Sequence, residues 1–260
     1  MKRAITGSTA YLTIVNATLP ERTRTYTPIH HSTIISGIRK EVEDAGYTIE
    51  EEKYSCSLNG QIALGTFRIK YLYDPDIVLS ATFLNSYNKQ YAFRFTLGAI
   101  IKETNDSFVL KNAQYNYYKK VHRGDADILS EGKIKDFIQD SGEYWKLLVS
   151  YKDMLKSVIM PEELFFQMMG DLYFNKGALS SLQLNIIKSS LGQVVVAEGK
   201  ESEFYNGWLV FHHIVNALNE SHPATWIDDT LAVTECFNDK LKYFLPPDEK
   251  LHDPTTLASE

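Results

Sequence analysis

The sequence predicts an α+β protein: an N-terminal antiparallel β-meander with one helix, then a mostly helical C-terminal half packed on one face of the sheet. Three observations carry this. Between Tyr47 and Tyr118, β-rich runs alternate with short polar turns at Asn59-Gly60, Asp74-Pro75-Asp76, Asn85 to Lys89 and Thr104-Asn105-Asp106. Such connections suit hairpins and are too short for parallel crossovers. After Gly124 the apolar spacing changes from about 2 to about 3.6 residues, the period of a helix. The charge changes at the same place, with 16 Lys+Arg against 11 Asp+Glu through residue 123 (+5) and 11 against 22 thereafter (−11). The expected organisation is a basic sheet-plus-helix part over residues 1–123, an acidic helical part over 124–245, and a frayed polar tail over 246–260.

A chain of 260 residues with 44% hydrophobic and 23% charged residues is long enough to bury a sizeable core and too apolar to be wholly disordered. No stretch reaches the roughly 20 apolar residues that span a bilayer, and Met1 to Thr9 lacks the apolar core of a signal peptide. The cytoplasm is therefore the expected compartment, or the host cytoplasm for a phage-encoded protein, with Cys56 and Cys236 as reduced thiols.

Taken in order, Tyr11 to Val15 is β-branched and apolar and reads as a strand, followed by a polar connection over Pro20 to Arg24. A helix follows, N-capped by Ser32 or Thr33, striped by Ile34, Ile35, Ile38, Val42 and Ala45, and stopped by Gly46. Asn59-Gly60 predicts a tight hairpin in which both turn residues take positive φ. Its return strand runs from Gln61 to Tyr73, the central pair covers Ile77 to Leu84 and Gln90 to Lys102, and a fifth run covers Ser107 to Tyr118. In the acidic part, apolar residues from Ile134 to Val158 suggest one helix broken at Gly142. Pro161-Glu162-Glu163 opens another, with its acids favourably placed for the helix dipole. Ser180 to Leu191, Phe204 to Leu218 and Ile227 to Phe244 are the remaining helical segments. Val194 to Val196 either extends the first of these or forms a short strand.

All seven arginines (Arg3, Arg22, Arg24, Arg39, Arg68, Arg94 and Arg123) lie in the basic part. Arginine suits forked contacts to phosphate or carboxylate, so the segregation points to an anionic partner. Tyr115 to Arg123 interleaves tyrosines with Lys119, Lys120 and Arg123, the combination of stacking faces and phosphate-neutralising cations used by single-strand binders. On a strand Tyr115 and Tyr117 share a face, which Arg68 or Arg94 could join. The alternative is an aromatic strand end packed beneath the helices. No metal site is expected: adjacent histidines, as in His30-His31 and His212-His213, diverge on a helix, and no ligand spacing accompanies them. Asp125 and Asp127 read as helix caps, and neither Gly-rich phosphate-binding motif is present.

Several segments together resemble the phage/plasmid-like protein family, domain of unknown function 932. Thr23 to Pro28 leading into a helix that ends Ala45-Gly46-Tyr47 is similar to that family's opening. Asn85-Ser86-Tyr87-Asn88-Lys89-Gln90 followed by Ala92-Phe93-Arg94 resembles its central hairpin, in which histidine and Asp-Gly usually stand where this chain has Tyr87 and Asn88-Lys89. Thr104 to Ser107 resembles its next turn, Val121-His122-Arg123 its Arg-His element, and Asn206 to Asn216 with His222 its late helix, although the Thr-Glu that usually follows is missing here. The resemblance implies a phage, prophage or plasmid source and carries no established chemistry. The helix-plus-meander plan also resembles that of ring-forming single-strand annealing proteins, which allows a homo-oligomer.

The function expected is that of a non-enzymatic, cofactor-free nucleic-acid-handling protein that binds or anneals single-stranded DNA, as in recombination. Phosphate contacts would come from Arg68, Lys70, Arg94, Lys119, Lys120 and Arg123, and stacking faces from Tyr87, Tyr115 and Tyr117. The rival expectation is a protein-interaction module acting on a host protein or within a phage assembly, in which the acidic half docks a basic surface.

Overall fold

The structure, a computed structural model, describes residues 5–110, 116–198 and 204–241. Arg3, Tyr115 and the 246–260 tail lie outside the described residues.

An antiparallel sheet forms from β1 (Ile5–Thr6), β2 (Thr48–Cys56), β3 (Ile62–Lys70), β4 (Ile77–Ser86) and β5 (Phe93–Ile101), adjacent in that order. Beyond β5 the last edge is divided. β6 (Ser107–Phe108) pairs with Ala99 and Ile100, and β7 (Tyr117–Lys120) pairs with Phe93 to Thr96. The fifth run is thus two short strands sharing one edge. β6 approaches so closely that a Cβ at Gly98 would run into the Phe108 carbonyl oxygen.

Every residue of β4 and β5 is buried. That burial includes Ser80 and Thr82 of β4 and Arg94 and Thr96 of β5, whose alternation with apolar neighbours would ordinarily mark a solvent face: both faces are covered. Phe95 stacks on Phe137 of α3 (Ala126–Gln139), whereas Arg94, on the other side of the pleat, meets Asp228 of α8 (Trp226–Leu241). Helices therefore lie against both faces, where one covered face was expected.

α1 (Gly7–Val15) replaces the strand expected at Tyr11 to Val15. Its Ala10 and Ile14, one helical turn apart, are buried in the core, and this packing outweighs the β-preference of the β-branched residues. α2 (His31–Asp44) buries the expected isoleucines and Val42, but its cap is His30, whose Nδ1 accepts the Ser32 amide at 3.2 Å. The β2–β3 connection is looser than an Asn-Gly turn. It spans Ser57 to Gln61, and only Gly60 takes positive φ (67°). Asn59 Oδ1 instead gathers the Ser57 hydroxyl and the Gln61 amide.

The helical half continues with α4 (Ser141–Ser157), β8 (Ile159–Pro161) and α5 (Glu162–Gly170), which runs into a π-helical turn at Asp171–Asn175. α6 (Ser181–Glu198), β9 (Phe204–Asn206) and α7 (Gly207–Ala217) follow. α3 and α4 meet at Asp140, beside the expected break at Gly142, and the Val194 to Val196 segment extends α6. β8 pairs with β9, and Asn206 caps α7 by accepting the Trp208 and Leu209 amides. One buried cluster, including Phe67, Phe83 and Phe95 of the sheet and Leu148, Phe211 and Phe237 of the helices, joins the basic and acidic parts.

Two polar ties also join them. Lys152 of α4, almost fully buried, places its ammonium 2.6 Å from Asp74, 3.3 Å from Asp76 and 3.0 Å from Asp153, and Lys156 binds Asp76 at 2.5 Å. Burial pulls the Lys152 pKa down, but the bonds to Asp74 and Asp153 hold it above its ordinary value. At the same end of β5, Asp106 accepts the side-chain amides of Asn216 (3.0 Å) and Asn219 (2.6 Å). Cys56 and Cys236 are buried free thiols, and among the described residues no helix is long and apolar enough to cross a membrane.

Candidate nucleic-acid interface

The hairpin from β4 to β5 is joined from below by the segment preceding α2. Thr23 and Tyr26 exchange backbone hydrogen bonds, which puts Arg24 at the tip of a tight turn. The chain then runs as a strap across the hairpin and the loop after β7. Tyr26 donates its hydroxyl to the Tyr87 carbonyl (3.2 Å), the Thr27 amide donates to the His122 carbonyl (2.9 Å), and the Thr27 hydroxyl donates to the Gly124 carbonyl (2.8 Å).

Asn85 at the end of β4 is the fully buried hub beneath this strap. Its amide nitrogen donates to the Ile29 carbonyl (2.7 Å) and to His31 Nδ1 (3.0 Å), and its oxygen accepts from His122 Nε2 (2.8 Å). His31 Nε2 in turn donates to the Gly60 carbonyl at 3.0 Å. Every bond in this chain is consistent with neutral imidazoles of one tautomer. Tyr87 lies flat on His31, ring centroids 3.8 Å apart, and its hydroxyl accepts the His31 amide at 2.8 Å. Three segments far apart in the chain, around Ile29 to His31, Asn85 to Tyr87 and His122, thus meet in one buried network.

Burial pushes the His31 pKa down to about 3 and that of His122 down to about 4. The unfolded chain, with histidines near 6.5, then binds more protons than the folded chain between about pH 6.5 and 4. Stability from this pair is complete above about 6.5 and declines as pH falls toward the folded values. The urea midpoint is expected to drop across that window, and replacing His122 with glutamine should flatten the decline. An unchanged pH profile in the variant would exclude His122 as a source of the loss.

The strap and β7 bring exposed cations to the same end of the sheet: Arg22 and Arg24 from the strap, Lys89 from the hairpin, and Lys119 and Arg123 from β7 and its exit, with Lys120 half-buried among them. Lys89 holds its ammonium 4.7 Å above the Tyr26 ring. Among the described residues, the one acidic partner within 4.0 Å of these six is Asp127, at the limit of contact with Arg22. The group forms a basic rim along the β7 edge.

Four of the residues expected to contact nucleic acid are buried, paired or distant from the rim. Arg94 is buried under α8, with Nη1 2.6 Å from Asp228 and Nε without an acceptor, because the pleat points it at the helix and not at solvent. Tyr87 is 3% exposed and spent on His31, so it offers no face to a base. Arg68 is bound to Glu50 and to the Asn105 side chain, both at 3.1 Å. Lys70 is exposed at the far end of β3, away from the rim. Tyr117 is half-buried opposite Thr96. Lys119, Lys120 and Arg123 follow one another along the β7 edge, with Lys119 opposite Arg94 and Lys120 opposite Phe93, so the two lysines leave the strand on opposite faces. Arg22, Arg24 and Lys89 were not among the expected contacts. Their signal was present in the arginine segregation and in the lysine at the hairpin tip, but which cations share a surface depends on where the strap crosses.

Fold and rim define an α+β sheet protein with helices on both faces and a cationic edge. No protein-family model, curated protein or solved structure matches the chain.

Proposed function

We propose that this chain is a non-enzymatic nucleic-acid-handling protein, phage- or plasmid-encoded as the resemblance implies, that acts in the cytoplasm and holds single strands by their phosphates along the basic rim. The observation that supports the reading is the placement of Arg22, Arg24, Lys89, Lys119, Lys120 and Arg123 along one edge with, among the described residues, a single marginal acidic contact. Exposed cations with so little acidic pairing can neutralise phosphates and release counterions. Strand annealing, which needs phosphate contacts but no nucleophile, fits the same surface.

The test is fluorescence anisotropy with a labelled oligothymidylate at low salt, repeated as salt rises. Binding that weakens steeply with salt is expected. The variant K119A/K120A/R123A should reduce the dependence of log K on log salt by about 2, near 0.7 per phosphate contact on a single strand. No binding at low salt would end the proposal.

A second reading, a protein-interaction module for a host or phage protein, has one observation behind it. In the acidic half Phe166 is 60% exposed and Phe174, on the π-helical turn, is 81% exposed. Large aromatics left in solvent are common at protein interfaces, and π-turns often mark functional sites. Nuclease-insensitive recovery of one stoichiometric partner, lost in F166S/F174S, would favour it over the rim.

A further inference from the structure

The opposite edge of the sheet ends differently. β1 pairs with β2 for two residues, Ile5 with Cys56 and Thr6 with Ser55. Gly7 then takes φ of 74°, a left-handed conformation open to glycine, and turns the chain away into α1. Past that point, among the described residues, no strand lies against the outer side of β2. Among the described residues, no backbone hydrogen bond from outside the β2–β3 ladder reaches the segment from Ile49 to Tyr54. A bulge between Ile49 and Glu51 closes off the regular edge, leaving Glu51 to Tyr54 as its clean part.

A cleft of about 740 Å³ runs along this edge, and five consecutive residues, Glu51 to Ser55, line it. In a strand successive side chains point to opposite faces, so a cleft lined by consecutive residues wraps around the edge, and Leu64 and Thr66 of β3 extend it onto one face of the sheet. Tyr11 of α1 walls one side, and Pro223 of the loop before α8 and Trp226 at the start of α8 wall the other. Charged side chains usually guard such an edge, but here they are folded back onto the chain. Arg39 grips Glu52 through two bonds of 2.7 and 2.6 Å, Glu51 accepts the Asn105 amide at 3.2 Å, and Lys53 donates to the Asn105 carbonyl at 2.7 Å.

From this geometry we infer that the β2 edge is a strand-addition site. Its occupant is an extended segment of a partner protein, uncharged over the paired stretch. The segment lies antiparallel to Glu51–Tyr54 in line with β1, bonds the unpaired backbone groups, and sends alternate side chains toward the Tyr11 and Trp226 walls. Backbone pairing supplies affinity and the two walls supply selectivity. The site lies across the sheet from the basic rim and does not depend on the nucleic-acid reading.

The test uses the whole chain, labelled with nitrogen-15, and a capped peptide of alternating threonine and valine. Amide shifts concentrated at Glu51 to Tyr54, with the Trp226 indole moving alongside, are expected at millimolar peptide. The same peptide N-methylated at alternate residues on its pairing edge should produce none, because it cannot complete the ladder. No response, an equal response to the methylated peptide, or shifts centred elsewhere would overturn the inference. So would self-association through the same amides without peptide, since the edge would then belong to a second copy of the chain.

Discussion

Replacing Lys152 with methionine is expected to lower the unfolding free energy by about 3 to 5 kcal/mol, the usual cost of leaving one member of a buried ion pair alone. The methylene stem is nearly preserved, so the loss reports the ammonium. Without it, the Asp74 carboxylate stays buried with Asp76 and Asp153 close by. Asp74 Oδ1 also accepts the Asp76 and Ile77 amides at 2.9 and 3.0 Å, which holds the turn entering β4. An asparagine at 74 would keep that acceptor and remove the charge. The double variant K152M/D74N should therefore recover part of the loss seen in K152M. Urea denaturation of the two singles and the double measures this coupling. Additive losses would mean that the clamp is not a charge pair in energetic terms.

Asn85→Ala is expected to cost about 3 kcal/mol, since it strands three buried polar groups at roughly 1 kcal/mol or more each. Those groups are the Ile29 carbonyl, His31 Nδ1 and His122 Nε2. The effect should reach the surface, because Asn85 is what ties the strap to the hairpin. Oligonucleotide affinity of N85A is expected to fall to that of R22A/R24A at a temperature where both remain folded. Unimpaired binding by N85A would show that the strap arginines do not take part. Asn85→Asp makes a sharper comparison. It keeps the acceptor for His122 and loses the donors to Ile29 and His31, so it separates the two halves of the network.

Much of the architecture was legible because it rests on local rules. The turn residues at Asp74-Pro75-Asp76 and Asn85 to Lys89, the apolar stripe from Ile34 to Val42, and the change of period near Gly124 each report on a few neighbouring residues, and each led to the right element. The burial of β4 and β5 on both faces was not legible, because Ser80, Thr82, Arg94 and Thr96 alternate with apolar residues as on a half-exposed strand. Where local preference and packing disagreed, packing prevailed. Tyr11 to Val15 carries strand-forming residues yet forms a helix, because Ala10 and Ile14 fill the core from one helical face.

The candidate surface was legible only in part. Lys119, Lys120 and Arg123 are neighbours in sequence and stay neighbours in space. Arg94 and Tyr87 looked equally suitable by residue type, but exposure is a property of what comes to lie on top. For Arg94 that is α8, more than 130 residues later in the chain, and for Tyr87 it is the strap and His31. By itself the sequence determined the order of elements, the antiparallel pairing and the separation of basic from acidic halves, all set by short-range periodicity and composition. Only the tertiary structure decided which cations remain in solvent, which strand edge stays open and which histidines are buried neutral, because those outcomes depend on contacts between segments far apart in the chain.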